Sequence, residues 1–172
     1  MPPFKVFISS PVYGIPEYRS EIIGSLQDAA ASGIFEFFYY EAHEIEILQD
    51  RTICESIFAH CGDEFDAVYL FFKDRVGQGT RDEFNYFQNV LKQRNPNCQL
   101  WWTQISCAQH DQMTNELLQD IHSVGGNLGL WRRDGKMIES PDLLASVFTA
   151  KLWNTAAGLR DGTITPFAGD AT

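Results

Sequence analysis

The amino-acid sequence predicts an α/β fold in which about five mainly parallel strands form one sheet with helices on both faces. Short apolar runs that fit strands alternate along the chain with amphipathic stretches of helical spacing. The run Ala67–Phe72 is apolar throughout, which is typical of a strand covered on both sides. Alternation of this kind implies βαβ units with right-handed crossovers. We therefore expect a doubly wound, flavodoxin-like domain.

Each predicted strand is an apolar run bounded by turn residues. The five runs are Phe4–Ser9, Ile34–Tyr40, Ala67–Phe72, Gln99–Gln104 and Leu128–Trp131. Their number and their spacing predict a single sheet.

The predicted helices fall between these strands and after the last one. They span Pro16 to about Ala31, Leu48–Cys61, Thr80 to about Arg94, Gln112–His122 and a final helix that Ser140 caps. Lys151 falls among the inward and flanking positions of the final helix. From Thr155 apolar periodicity is lost, so we predict a domain over residues 1–154 and a C-terminal extension or linker over residues 155–172.

Composition narrows the classes of function. The chain has 172 residues, of which 44% are hydrophobic and 13% aromatic, which is typical of one globular domain. Its net charge is -10 and it contains no basic run, so binding to a nucleic-acid backbone is not expected. No leader-like or membrane-spanning apolar run is present. Four cysteines without a C-x-x-C pair argue against zinc or a disulfide framework and favour a cytoplasmic protein.

The segment from Asp66 to Tyr86 carries the strongest functional pattern. It is predicted to contain a buried strand, a loop with Gly77 and Gly79, and a helix with Glu83 in its first turn. In open α/β sheets such loops bind ligands, and a helix N-terminus offers free N–H groups to an anion or a sugar hydroxyl. Glu83 is therefore a candidate catalytic carboxylate.

A structural role for the same residues is the alternative. Thr80, Arg81, Asp82 and Glu83 also fit a capping box, T-x-x-E, in which Glu83 accepts a hydrogen bond from the Thr80 backbone N–H. The sequence pattern alone leaves both roles open.

The loop after the first strand supplies a second group of candidates. Ser9, Ser10 and Tyr13 have hydroxyls that hydrogen-bond a sugar or a phosphate, and Arg19 on the following helix would pair with an anion. Ordinary turn chemistry and a surface arginine are the alternative. If both strands are central in the sheet, these residues and Thr80 face one crevice.

The remaining titratable residues form no clear site. His43 lies among carboxylates from Glu41 to Glu46, but the helical His-Glu-x-x-His spacing is absent and no metal is expected. His60, His110 and His122 have no visible nucleophile partner and are interpreted as structural.

Two segments carry a resemblance to a known family. The opening FKVFISSPVYGIPEYR, with Glu17 and Arg19, resembles the N-terminal signature of TIR-like, nucleoside 2-deoxyribosyltransferase-like domains. The segment from Asp66 to Tyr86 resembles their pattern of Asp, apolar strand, glycine loop and Gly-Thr-x-x-Glu, filled here by Gly79, Thr80 and Glu83. The opening is closer to TIR-like modules at the front of bacterial sensor ATPases than to the free-standing transferases.

The resemblance implies an N-glycosidase that uses NAD or a related nucleotide as substrate, without a cofactor, in bacterial defence or signalling. Glu83 would be the catalytic carboxylate, and the substrate contacts would be made by Ser9, Ser10, Tyr13, Arg19, Asp66, Gly79 and Thr80. It also implies a homo-oligomer, coupled to a sensor domain. A non-catalytic homotypic interaction module is the alternative. Deoxyribosyl transfer is a further one, although Gln78 stands where those transferases carry an acid.

Overall fold

The fold is built on five strands joined into a single parallel sheet. In the computed structural model, which describes residues 1–11, 14–39, 52–124 and 127–169, these are β1 Phe4–Ser9, β2 Phe35–Phe38, β3 Ala67–Phe72, β4 Gln99–Gln104 and β5 Asn127–Gly129. Their order is β2-β1-β3-β4-β5, and every pairing is parallel. This is the flavodoxin-like order of a doubly wound sheet. The predicted fold class is confirmed.

Helices cover both faces of this sheet. They are α1 Pro16–Ala31, α2 Ile53–Cys61, α3 Gln78–Tyr86, a π-helical turn Phe87–Leu91, α4 Lys92–Arg94, α5 Gln112–Ser123 and α6 Pro141–Asp161. None of the helices in the described part of the chain is long and apolar enough to cross a membrane.

Alternating side chains of the central strands divide the core into two layers. Val6 and Ile8 of β1 pack with residues of α1 and α6, whereas Phe7 packs with residues of α2, α3 and α5. In β3, Tyr69 belongs to the first layer and Leu70 to the second. Because successive side chains of a strand point to opposite faces, one buried strand contributes to both layers.

The end of the chain differs from the prediction. α6 continues to Asp161 with Thr155 and Leu159 buried, so the boundary at residue 154 falls inside a helix and the predicted linker is wrong for residues 155–161. After the helix the chain turns back, with Ile164 packed over Gly158, where an added Cβ would lie 2.7 Å from the Ile164 Cδ1. Farther on, Phe167 donates its N–H to Asp66. Residues 162–169 thus lie against the sheet domain.

Candidate functional site

The sheet order places a crevice between the carboxyl ends of β1 and β3. The chain leaves β1 toward β2 on one side and leaves β3 toward β4 on the other, so the two connections diverge at this point. Ser9 pairs in register with Leu70, which brings the end of β1 beside β3. Such a topological switch point is where doubly wound proteins bind ligands. The predicted convergence of the two loops is consistent with this arrangement.

Ser9 is a buried hydroxyl at this switch point. It shares the face of β1 that bears Phe7, so it lies on the side of the sheet covered by α2 and α3. It is 1% exposed, and its Oγ has no hydrogen-bond partner among the described residues. A buried hydroxyl without a partner is costly, which makes the Ser9 Oγ a natural contact for a bound polar group.

Ser10 and Arg19 are joined to each other at the same end of β1. The Arg19 Nη1 donates to the Ser10 carbonyl at 3.3 Å and also to the Ser10 Oγ. Arg19 lies near the start of α1, so this contact draws a half-buried guanidinium toward the strand end. Tyr13, the remaining candidate of this loop, lies outside the described residues.

The N-terminus of α3 is not covered by other side chains near its two glycines. Its N-cap is Gly77, and an added Cβ at either Gly77 or Gly79 would meet nothing within 4 Å. Neither glycine has a positive φ, so the backbone conformation does not require glycine at either position. Thr80 is buried and faces the core rather than the loop. Exposed glycine backbone therefore borders the helix N-terminus.

Glu83 is not part of a capping box. α3 begins at Gln78, two residues before the predicted start, and its N-cap makes no side-chain hydrogen bond. Glu83 therefore lies in the second turn and not in the first, so both the predicted first-turn position and the capping alternative are wrong. It borders the buried stripe formed by Thr80 and Phe84 and is itself half-buried.

A T-x-x-E capping box does occur in the neighbouring helix. The Thr52 Oγ1 accepts from the Glu55 N–H at 3.1 Å, and the Glu55 carboxylate accepts from the Thr52 N–H at 2.7 Å. These bonds start α2 at Ile53, whereas the sequence predicts a start at Leu48, which lies outside the described residues. The same pattern that failed at Thr80 was the missed signal here.

Glu83 lies near Cys54, which is the second residue of α2. Burial raises the pKa of the Cys54 thiol to about 12, and the negative charge of Glu83 is the next largest cause. The thiol is therefore protonated at neutral pH, and the carboxylate lies on the side of α3 that meets α2.

Asp66 lies at the opposite end of β3 from this crevice. One of its carboxylate oxygens accepts from the Lys5 N–H at 2.8 Å and the other from the Phe167 N–H at 2.7 Å. Burial nonetheless raises its pKa, against the lowering effect of these two bonds. The six residues of β3 span about 20 Å, so the predicted substrate-side role of Asp66 is wrong.

The loop between β3 and α3 is held by a residue that the sequence did not indicate. The Val76 N–H donates to the Thr114 Oγ1 at 3.0 Å, and that hydroxyl donates to the Asp74 carbonyl at 3.3 Å. The Asp111 N–H reaches the same carbonyl at 3.0 Å. Thr114 is fully buried near the start of α5, so α5 fixes the loop that leads into α3.

His110 has a partner that sequence reasoning missed. The Cys107 Sγ lies 3.2 Å from the His110 Nε2, which also contacts the Gln104 side chain. Burial raises the pKa of the Cys107 thiol, so it is not an activated nucleophile. The described residues contain no group of three or more His, Cys, Asp or Glu side chains placed to hold a metal ion.

Comparison with known proteins leaves the family open. No family model matches the chain, and no curated protein matches it. Among solved structures, rubredoxin oxygen:oxidoreductase from the anaerobe Desulfovibrio gigas has a TM-score of 0.46 at 11% identity, over 92% of this chain and 37% of that one. A conserved protein from Enterococcus faecalis V583 has a TM-score of 0.43 at 10% identity, over 86% of this chain and 99% of that one. The fold class rests on the sheet order: a doubly wound α/β protein with polar groups at its switch point.

Proposed function

We propose that the protein is an N-glycosidase that cleaves the base–ribose bond of NAD or a related nucleotide, with Glu83 as the catalytic carboxylate. The observation that carries the proposal is the position of Glu83, half-buried on the helix that follows β3 at the switch point and without a capping role. The resemblance of the opening segment and of residues 66–86 to TIR-like and transferase domains supports it.

The chemistry requires a negative charge beside the anomeric carbon. As the bond between C1′ and the base nitrogen breaks, positive charge develops on the ribose, and a carboxylate stabilises it or captures C1′ covalently. A half-buried carboxylate does this better than a fully hydrated one, because its field is less screened. Water then adds to C1′ and breaks the bond to the carboxylate where one has formed, and its proton passes to the solvent.

The other groups of the crevice suit the rest of a nucleotide. The Ser9 hydroxyl, which has no hydrogen-bond partner among the described residues, would hydrogen-bond a ribose hydroxyl. Arg19, held by Ser10, would lie on the phosphate side. The open N-terminus of α3 adds backbone N–H groups.

NAD is favoured over neutral nucleosides by its leaving group. The nicotinamide nitrogen is cationic in NAD, so it takes the bonding electron pair and leaves as a neutral base without being protonated. A neutral purine or pyrimidine needs a proton donor to leave well. Gln78 occupies the position where the transferases carry an acid, and an amide does not supply that proton.

The biological setting is part of the same proposal. We place the activity in the cytoplasm, in a homo-oligomer coupled to a sensor domain, with a role in bacterial defence or signalling. All four cysteines are free, and free thiols are common in a reducing compartment.

The test is release of base by the purified protein at high concentration. NAD, a panel of nucleosides and monophosphates, and a labelled base for exchange are incubated separately, and the products are separated by chromatography. Glu83→Gln is expected to lower nicotinamide release by about a hundredfold or more. Asp82→Asn is the matched control, because Asp82 is a neighbouring carboxylate that accepts from the Gln78 side chain. Equal turnover in Glu83→Gln and the unmodified protein would overturn the proposal.

One observation favours a second candidate function, a non-catalytic homotypic interaction module. Trp153 on α6 is 74% exposed, and tryptophans so exposed are enriched at binding surfaces. Sedimentation over a range of concentrations tests this candidate. Self-association that Trp153→Ala abolishes, without base release from any substrate, would favour it over the glycosidase.

A further inference from the structure

A cavity of about 580 Å³ lies at the far edge of the sheet, between the loop after β5 and the helix α6. Its lining includes Leu130, Arg133, Leu143, Val147 and Lys151. It is an open groove and not an enclosed pocket, and its volume is sufficient for part of a small organic ligand. Since β3, β4 and β5 follow β1 in the sheet order, this cavity lies away from the crevice at β1 and β3.

Lys151 gives one end of the cavity a partly buried positive charge. Its Nζ lies 5.2 Å from the centre of the Trp101 ring, and burial lowers its pKa. Among the described residues no carboxylate forms an ion pair with it. A cation–π contact partly offsets the lost hydration of this ammonium group, and a bound anion would offset more of it.

Arg133 supplies a second positive charge from a fixed turn. The Gly135 N–H donates to the Arg132 carbonyl at 2.9 Å, and the Lys136 N–H donates to the Asp134 carboxylate at 3.1 Å. The nearby acids are engaged by Arg132, which pairs with Asp134 at 2.7 Å and with Glu139 at 3.5 Å.

Arg133 itself is exposed and has no ion pair within the described part of the chain. Within the described part of the chain, two cations without an ion pair therefore line one cavity beside the Arg132–Asp134 pair, in a protein whose net charge is -10.

The cavity also has an apolar wall that is anchored to the core, and Asp134, a carboxylate of the lining, already pairs with Arg132. Leu130, Leu143 and Val147 pack against the core layer formed with α1 and α6. A site with a rigid apolar wall and a cationic end suits a ligand that is apolar on one side and anionic on the other.

We propose that this cavity binds a small organic anion, a carboxylate or a phosphate monoester, with its charged group between Lys151 and Arg133. Its apolar part lies against Leu130, Leu143 and Val147. The site is separate from the proposed catalytic crevice and needs no residue of it.

Isothermal titration calorimetry with two probes tests the site. Naphthalene-2-carboxylate represents the carboxylates, and phenyl phosphate, which has no base–ribose bond, represents the phosphate monoesters. Inorganic phosphate shows whether the organic part is needed. We expect Lys151→Met and Arg133→Gln each to weaken binding about tenfold, since each removes one charge-assisted contact. Lys151→Arg is expected to retain binding.

Control variants show whether probe binding depends on this cavity and not on general packing or on the crevice. Lys136→Gln removes a cation of the same turn that does not line the cavity, and it should bind both probes like the unmodified protein. Glu83→Gln should also bind them normally, whether or not the proposed glycosidase activity exists. If Lys151→Met does not fold, the exposed Arg133→Gln carries the test. The proposal is overturned if neither probe binds, or if binding is indifferent to Lys151 and Arg133.

Discussion

The two ends of β3 carry carboxylates in contrasting environments. Before the strand, Asp66 is buried and both its oxygens accept backbone N–H groups, from Lys5 and from Phe167. After the strand, Glu83 is half-buried on the second turn of α3, and its charge is felt by the Cys54 thiol. One carboxylate joins three segments of the chain, and the other lies between α3 and α2.

The contrast shows that a carboxylate close in sequence to a glycine loop does not necessarily lie at the ligand-binding end of the sheet. Asp66 and Glu83 flank the same strand and both fit the resemblance, yet the direction of the strand puts them at opposite edges of the sheet. In a parallel sheet only the carboxyl edge gathers loops around a ligand. Asp66 holds backbone groups of two other segments, and the proposed catalytic role falls on Glu83.

Replacing Asp66 gives the largest effect that this contrast predicts. Asp66→Ala leaves two partly buried backbone N–H groups without acceptors, which costs about 2–4 kcal/mol of unfolding free energy. Denaturant unfolding measures it. Where the variant is folded, base release should stay within about twofold of normal, because Asp66 does not touch the crevice.

The control for this effect is a nearby carboxylate. Asp63 is about half exposed and lies 3.9 Å from the Arg94 Nε, so Asp63→Ala should cost no more than about 0.5 kcal/mol. If Asp66→Ala abolished turnover without loss of stability, the division between the two ends of β3 would be wrong.

Thr114 provides a test at the carboxyl end. Thr114→Val keeps the shape of the side chain but leaves the Val76 N–H without its acceptor, at a cost of about 1–2 kcal/mol. Because Val76 lies in the loop that enters α3, we also expect base release to fall about tenfold. Denaturant unfolding and the chromatographic assay measure the two effects.

Thr114→Ser keeps the hydroxyl and is the matched control. It should preserve the loop and most of the turnover, with a small loss of stability from the missing methyl group. Equal turnover in the valine and serine variants would show that the loop does not depend on this hydrogen bond.

The central strands were predictable because a strand that is buried on both faces is a continuous apolar run in the sequence. β1, β3 and β4 have the predicted bounds, and each is a run of mostly buried residues. Of the edge strands, β2 is shorter than predicted and β5 is shifted from its predicted position. Partly exposed residues make a weaker hydrophobic pattern in the sequence. α1 matches its prediction from Pro16 to Ala31.

The site was only partly predictable. Alternation of strands and helices correctly indicated a doubly wound sheet. A T-x-x-E pattern, however, does not show which threonine starts a helix, and Gly77 is a weak signal for the start of α3. The two partners of Asp66 are 61 and 101 residues away, and no local pattern carries those contacts. The Cys107–His110 contact follows a C-x-x-H spacing in a loop, which only the folded chain brings together.

The smallest predicted effect is a shift in the titration of Cys54. Its folded pKa of about 12 lies above the ordinary value of 9.0, so the stability linked to its neutral thiol is complete below about pH 9 and is lost as the pH rises toward 12. Glu83→Gln removes the second cause and should lower this pKa, while burial, the largest cause, keeps it above 9.0. Thiolate absorbance near 240 nm, taken as the difference from Cys54→Ala in each background, measures the shift. Asp82→Asn should lower the pKa less, because Asp82 is the weaker of the two α3 charges at this thiol. An unchanged Cys54 titration in Glu83→Gln would mean that the carboxylate points away from α2, and its proposed place beside the crevice would then have to be abandoned.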